Sequence, residues 1–442
     1  MKRSLILCLL LLATMAAHAD RVRVKLFSNN TVDLINVSFD LGFYNLYAND
    51  TAMVAADLGD GKSVELTPIG RKVHVAIDGY DYGSYDSVTF AATDTACILC
   101  LNPRNIKNRT YEGNLIVSVG KNGKLHLIND VEFETYLAGV VQSEIYGTES
   151  DIFRVQAIIS RTWAMRNINK HKAEGYNFCD QVHCQAYLNR CVRPDIMLGT
   201  IQSCGQTIVD STGNLIDTPF HSNSGGQTAN SEDVWRSALP YLRSVSDTFS
   251  YRMRQSDWVK VVNEDKWLNY FARTHKLNTR VDSIRRELLT FSQPERKVRL
   301  CGIPLTRIRT DFQLKSTFFS VIYDSAAHRI TLSGHGYGHG VGLSQEGTIR
   351  MVGLGISYDS IIRHYYTGAA VHTDEDHPHT YVERYVKQIA QIIEEDKLKA
   401  TQTKSKKDDW LGRLFRLRDR EEREEVYNPD QNEIDGDWQY DW

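Results

Sequence analysis

The chain has 442 residues, of which 24% are charged and 42% hydrophobic, and its formal net charge is −3. That length excludes a mini-protein and leaves room for two or three structural units, each large enough to bury a core. The nearly balanced charge, with no strongly basic stretch, argues against a nucleic-acid partner.

Lys2 and Arg3 precede an apolar run from Leu5 to Leu12, and Ala17-His18-Ala19 stands before Asp20. A basic start, a short greasy segment and a small-x-small site predict a secretory signal peptide over residues 1–19; a spanning helix needs about 20 apolar residues. No later segment approaches that length, so the expected location is secreted or periplasmic. Cys8 lies inside the apolar run without the small residues that precede a lipid-anchored cysteine. Seven cysteines remain after cleavage, and an odd count in an oxidising compartment leaves some thiols free or metal-bound.

From residue 20 to about 107 the pattern is short strands. "RVRVKLF", "KVHVAI" and, further on, "KLHLI" alternate with period two, and "GDGK" and "DGYDYG" mark turns. Near Val131 the spacing changes to three and four: "VEFETYLAGVV" and "SDIFRVQAIISRTWAMRNINKH" predict two helices, the second capped by Ser150 or Asp151, with the turn "QSEIYGTE" between them. "GQTIVD" and "LIDTPF" follow as expected strands, about Ser256 to Arg280 as an expected helix, and "VRLCGI", "FFSVIYD" and "RITLSG" as strands. "EGTIRMVGLG" and "SYDSIIRHYY" predict two further helices. Helices and strands without βαβ alternation indicate an α+β fold: a β-rich N-terminal part packed on a mixed helix/strand body, here divided as 20–107 and 108–373. Residues 374–442 are expected to form one amphipathic helix and then a charged, disordered tail.

The first candidate for chemistry is Glu144, at the end of an apolar helix. A carboxyl partly removed from water there has its pKa raised, because desolvation disfavours the anion, and a proton-bearing carboxyl is what a general acid requires. In the next helix Arg154 and Arg161 share a face two turns apart and, with Gln156, could orient a polar substrate. "CDQVHCQAYLNRC" concentrates Cys179, His183, Cys184 and Cys191, with His171 upstream. This donor set suits a closed zinc site, and two of the cysteines could equally pair as a disulfide after export. "HSNSGGQT" offers Ser222, Ser224, Gly225 and Gly226, hydroxyls and flexible backbone that suit a sugar chain. "SGHGYGHGVGLSQEG" spaces His335 and His339 by four, as zinc-binding helices do. Its glycines each cost a helix about 1 kcal/mol against alanine, so a helical metal motif fails. A loop that lends His335, His339 and Gln345 as sugar-binding groups, or mere scaffold, remains.

In this order, "YLAGVVQSE", "RVQAIISRTWA", "HCQAY", "HSNSGGQT", "GHGYGHGVGLSQEG" and "IIRHYYTG" resemble the stage II sporulation protein D and LytB family of bacterial cell-wall proteins, from about Asn108 to Ala370. The resemblance implies a lytic transglycosylase that cuts peptidoglycan glycan strands, peptide-free ones above all, between N-acetylmuramic acid and N-acetylglucosamine, leaving 1,6-anhydro ends. Glu144 falls on its catalytic acid, Arg154, Gln156 and Arg161 on its helix motif, and Cys179, His183 and Cys184 on a motif that binds zinc in some members, with His171 or Cys191 as a fourth ligand. The chemistry itself requires no cofactor. The LytB branch implies the alternative of a non-catalytic peptidoglycan-binding partner of a cell-wall amidase, and a zinc hydrolase built on the cysteine motif is a third reading. The sequence departs from the family at Ile145-Tyr146, where a methionine and a proline are usual, at Arg154, where lysine is usual, and at Ser224, where some relatives carry cysteine.

Overall fold

The computed structural model describes residues 21–374; the expected signal peptide and nearly all of the expected charged tail lie outside the described residues. The architecture is α+β, with a β-rich N-terminal region. The chain divides into two compact units that interleave in sequence: among the described residues, 21–144 and 167–205 belong to the first, and 145–166 and 206–373 to the second.

The first unit contains β1 (Arg21–Leu26), β2 (Ile35–Leu41), β3 (Tyr44–Ala48), β4 (Ala52–Leu58), β5 (Ser63–Ile69), β6 (Lys72–Ile77), β7 (Tyr80–Tyr85), β8 (Ser87–Ala92), β9 (Ile98–Pro103), β10 (Arg109–Glu112), β11 (Asn114–Val119) and β12 (Leu125–Glu132). Helix α1 (Phe133–Glu144) follows β12 directly. Helix α2 (Ser150–Arg166) belongs to the second unit, and the chain returns to the first with β13 (Phe178–Cys179) and α3 (Pro194–Gln202).

These strands form two sheets, ordered β13-β1-β12-β11-β8-β3-β4 and β10-β9-β2-β5-β6-β7. The period of two seen in the sequence sends Val22, Val24 and Leu26 inward from β1, and Val73, Val75 and Ile77 from β6. Phe39 of one sheet meets Tyr44 and Phe90 of the other, with ring centroids 5.3 and 6.2 Å apart, so the buried faces close on each other. Helix α1 packs on α3 and is buried along its whole length from Phe133 to Val141. It continues three residues further than its apolar pattern, so "QSE" is its last turn and the connection starts after Glu144.

In the second unit α2 is the central element. Val155, Ile158 and Ile159 lie in a core with Ile208, Leu242, Val341, Leu343, Ile361 and Tyr365. A separate core of Trp258, Trp267, Phe271, Leu288, Ile308, Phe319, Ile330 and Leu332 supports a three-stranded antiparallel sheet in which Arg329–His335 runs between Asp257–Asn263 and Phe319–Asp324.

The expected helix from Ser256 fails at its start. In Asp257–Asn263 buried Trp258 and Val262 alternate with exposed Val259 and Val261, the period of a strand. The helix begins only at Glu264, where the Asn263 side chain accepts the N–H groups of Asp265 and Lys266 at 2.9 and 3.3 Å. The expected strand "LIDTPF" reduces to the pair Phe220–His221 and an isolated bridge at Leu215. The helices expected at the C-terminal end of the body are present as Gln345–Gly353 and Tyr358–Tyr365.

Candidate active site and metal centre

Glu144 closes α1, half-buried, and its Oε1 accepts the backbone N–H of Ala186 at 2.6 Å. Burial raises its pKa to about 7, against the opposing pull of that hydrogen bond. The carboxyl therefore exchanges its proton near neutrality, as an acid–base group must. The neighbouring Gln185 side chain accepts from Tyr136 Oη at 3.2 Å, and the Tyr136 ring stacks on Phe178. The segment that faces Glu144 is thus fixed from both sides.

That segment continues from the cysteine motif. β13 pairs in parallel with β1, Lys25 opposite Cys179, which places the first cysteine at a sheet edge. Buried Asp180 next to it accepts from the N–H groups of Phe27 and Ser28 (2.7 and 3.0 Å) and from Arg109 Nη1 (2.6 Å), and so anchors the loop that follows.

Within this loop the ligand atoms of His171, Cys179, His183 and Cys184 all lie within 4.8 Å of one another. Cys184 Sγ is 3.5 Å from His171 Nε2 and 3.8 Å from His183 Nδ1, and Cys179 Sγ is 3.7 Å from His183 Nδ1. Sulfur and nitrogen ligands on two corners of a zinc tetrahedron stand about 3.6 Å apart, so the residues fit such an ion. His171 Nδ1 bonds Glu174 Oε1 at 2.6 Å, which fixes the tautomer with Nε2 turned to the cluster; Tyr176 Oη holds the other oxygen of Glu174 at 2.7 Å. The hydrogen bond with Cys184 lowers the Cys179 thiol pKa, while the same contact and burial raise that of Cys184, so one proton serves two sulfurs and Cys179 is the readier thiolate. Of the two residues considered for a fourth ligand, His171 lies in this group. Cys191 does not: its buried Sγ points to the carbonyl of Arg193 at 3.6 Å. Cys179, Cys184 and Cys191 form no disulfide with one another.

In the second unit most of the polar residues singled out from sequence face the protein itself. Arg161, only 1% exposed, donates to the carbonyl of Gln206 at 3.1 Å. Arg154 lies over the Tyr358 ring at 3.6 Å and donates to Gln206 Oε1 at 3.2 and 3.3 Å. Buried Gln156 donates to Ser160 and accepts from buried Gln345 at 3.3 Å, tying α2 to the helix Gln345–Gly353. Ser224 is fully buried and donates to Asp247 Oδ2 at 2.7 Å, with Ser250 Oγ 2.8 Å away. Ser222 is half-buried, its carbonyl taken by the Glu346 N–H. These groups brace the fold; the expectation that Arg161, Gln156, Gln345 and Ser224 meet substrate directly conflicts with their burial, because their polar atoms already have protein partners.

The glycines have a local explanation of the same kind. "HSNSGG" and "GHGYGHG" cross, with Asn223 and Tyr337 exchanging backbone hydrogen bonds of 3.1 and 2.8 Å. A Cβ on Gly225, at φ +71°, would stand 2.7 Å from the His335 carbonyl carbon, and one on Gly336 2.6 Å from the Asn223 oxygen. Gly226, at φ +103°, is buried instead against the Tyr251 ring, which a Cβ there would overlap. The close approach Gly225 and Gly336 permit is that of one loop to the other.

The histidines of the loop differ from each other. His339 accepts the Val341 N–H on Nδ1 at 3.1 Å, bonds the Phe220 backbone, and packs against His221 and Trp235. Burial first, then the charge of Arg309, lowers its pKa to about 3, so the ring is neutral. His335 is exposed, with Nδ1 2.7 Å from Asp257 Oδ1. Reading the sequence missed Asp257, and Glu346 as well. Glu346 is fully buried and accepts from Tyr146 Oη at 2.7 Å, Asn223 Nδ2 at 2.6 Å and the Gln255 N–H at 3.0 Å. Its being the one acid in the glycine-rich motif "SGHGYGHGVGLSQEG" could have flagged it. The Ala186 N–H, being backbone, leaves no mark in the sequence.

Residues 121–214, which include α1, Glu144, α2 and the cysteine motif, match the family model described as Stage II sporulation protein. That stretch is thus similar to the SpoIID family. Stage II sporulation protein D of Bacillus subtilis is 27% identical over 269 residues, 55% of this chain and 75% of that protein. Amidase enhancer of the same organism is 25% identical over 292 residues, 53% of this chain and 40% of that protein. An uncharacterized protein of Brachyspira hyodysenteriae is 22% identical over 363 residues, 80% of this chain and 94% of that one. The similar proteins include one named for sporulation and one named for enhancing an amidase, and no helix among the described residues is long and apolar enough to cross a membrane.

Proposed function

We propose that this chain is a lytic transglycosylase of peptidoglycan glycan strands, secreted or periplasmic and facing the cell wall, with Glu144 as its acid–base residue. The observation that supports this most is the half-buried carboxyl whose pKa burial raises to about 7 while the Ala186 N–H bonds one of its oxygens. Protonated Glu144 gives its proton to the glycosidic oxygen between N-acetylmuramic acid and N-acetylglucosamine as that bond breaks. The carboxylate, held by Ala186, takes the proton of the muramic C6 hydroxyl as its oxygen bonds to C1 and closes the 1,6-anhydro ring. An intramolecular nucleophile makes a separately activated water unnecessary, so one carboxyl serves where ordinary glycosidases use two. In the second unit, exposed His335 and half-buried Ser222 are the groups we assign to sugar binding.

His171, Cys179, His183 and Cys184 are proposed to hold a structural zinc, which when bound would fix the loop from β13 to Ala186. Four protein ligands make a closed site, which favours a structural over a hydrolytic ion.

The test is incubation with peptide-free glycan strands and mass spectrometry of the products. Anhydro ends from the native chain, reduced by at least about a thousandfold in Glu144→Gln, are expected, a loss of about 4 kcal/mol of transition-state stabilisation. Activity should fall as pH rises through about 7, where Glu144 loses its proton. The similarity to Amidase enhancer supports a second reading, a non-catalytic peptidoglycan-binding activator of a cell-wall amidase. Strands left intact by the native chain, together with amidase stimulation that survives Glu144→Gln, would establish that reading instead.

A further inference from the structure

Three consecutive residues of the last turn of α1 each accept a backbone N–H from one short segment. Gln142 Oε1 takes that of Val192 at 2.8 Å, Ser143 Oγ that of Leu188 at 3.2 Å, and Glu144 Oε1 that of Ala186 at 2.6 Å. Gln142 also donates Nε2 to the Arg190 carbonyl at 3.0 Å, and Ser143 donates to the carbonyl of Gly139 at 2.8 Å, so both side chains are held at two points. The segment is secured on its far side as well: Tyr187 Oη donates to Asn129 at 3.0 Å, and Asn189 Oδ1 accepts the Thr110 N–H at 2.8 Å. It can lie this close to α1 because residue 139 has no side chain. A Cβ there would stand 2.5 Å from the Tyr187 ring and 2.7 Å from the Asn189 carbonyl.

We infer that Gln142 and Ser143 are positioning residues that hold residues 186–192 against the last turn of α1 and thereby set the Ala186 N–H on Oε1 of Glu144. The inference rests on the proposed role of Glu144. Its chemical content is a choice of oxygen. An oxygen that accepts an N–H at 2.6 Å is the poorer place for a proton, so in the acid form the proton sits on Oε2. Oε2 then gives that proton to the leaving oxygen. The charge left on the carboxylate is met at Oε1 by a donor already in place, and the C6 hydroxyl proton returns to Oε2. Losing the clamp lets Ala186 drift and the carboxyl rotate, which misplaces the proton without touching sugar-binding groups.

The experiment uses the full chain and peptide-free glycan strands, comparing the native protein, Ser143→Ala, the Gln142→Ala/Ser143→Ala double variant and Ser143→Thr, which keeps an acceptor oxygen. For the double variant kcat should fall about tenfold or more, since small misplacements of catalytic groups cost one to two orders of magnitude, with KM within about twofold. Ser143→Ala should fall less, Ser143→Thr should recover most of the loss, and circular dichroism and zinc content per chain should match the native protein in all. Unchanged kcat in folded variants overturns the inference, as does a parallel loss of kcat, KM and thermal stability that threonine does not rescue, which is the behaviour of a merely structural loop. If the double variant does not fold, Ser143→Ala and Ser143→Thr decide by the same criteria. A native chain that cuts no strands sinks the transglycosylase reading itself and this role with it, whereas an active native chain with indifferent variants sinks the positioning role alone.

Discussion

In the cysteine-rich stretch, His171 and His183 turn ring nitrogens toward the thiols of Cys184 and Cys179 at tetrahedral spacings, and Glu174 fixes the tautomer of His171. In the glycine-rich stretch, His339 gives its ring to the backbone of Val341 and Phe220, and His335 leans on Asp257 at the surface. From sequence the first reads as a candidate zinc site or disulfide and the second as a sugar-binding loop or scaffold. The difference is whether the donors converge on common space or are already used by the chain, and that depends on what crosses each loop. Around Cys179 it is a sheet edge anchored by Asp180; around His335 it is a second glycine loop in van der Waals contact.

The largest effect that sharpens this contrast is metal linkage. Zinc at about a thousandfold above its Kd should stabilise the native protein by about 4 kcal/mol, and Cys184→Ser should abolish that gain along with stoichiometric zinc, read by thermal melts and elemental analysis. Equal zinc content in Cys184→Ser and the native chain would break the comparison. His339→Ala should leave zinc content unchanged yet cost about 2 kcal/mol, because it strands the Val341 N–H and empties a packed site.

Gly225→Ala should cost about 2–3 kcal/mol, from positive φ and from overlap with the His335 backbone; denaturant melts within 0.5 kcal/mol of the native protein, roughly the range of a neutral surface change, would deny the interlocked-loop account.

Glu144→Gln provides a pH-dependent effect of similar size. The folded carboxyl titrates near 7 against an ordinary value of 4.5, so its contribution to stability is fully present below about pH 4.5 and is lost as pH rises through 7. At pH 8 the amide variant should therefore be more stable than the native chain by about 3 kcal/mol, and at pH 4 the two should be alike. The smallest effect is that of His335→Ala on stability, within about 0.5 kcal/mol because the ring is exposed; weakened retention on glycan strands is where that variant should show itself.

Much of this was legible along the chain. Period-two runs such as "RVRVKL" gave their strands, and the three-and-four spacing of α1 and α2 gave the helices, because each pattern commits one face to burial whatever the partner turns out to be. The carboxyl of Glu144 at a helix end and the cysteine–histidine grouping were likewise readable, since composition shows which donors exist. Where Asp257–Asn263 alternates, the sequence carried the strand signal too, but flanking helix-forming residues obscured it.

Tertiary structure decided which polar groups are spent and which remain. Nothing in the spacing of Arg154, Gln156 and Arg161 tells that Gln206, Ser160 and Gln345 satisfy them, because a buried polar atom takes its partner from wherever the chain returns, here more than 40 residues away for Gln206. The same holds for the Ala186 N–H on Glu144 and for His171 beside Cys184. Residue type was written in the sequence; the desolvation and the pairing that turn a type into a chemical role arise only when distant segments share one small volume.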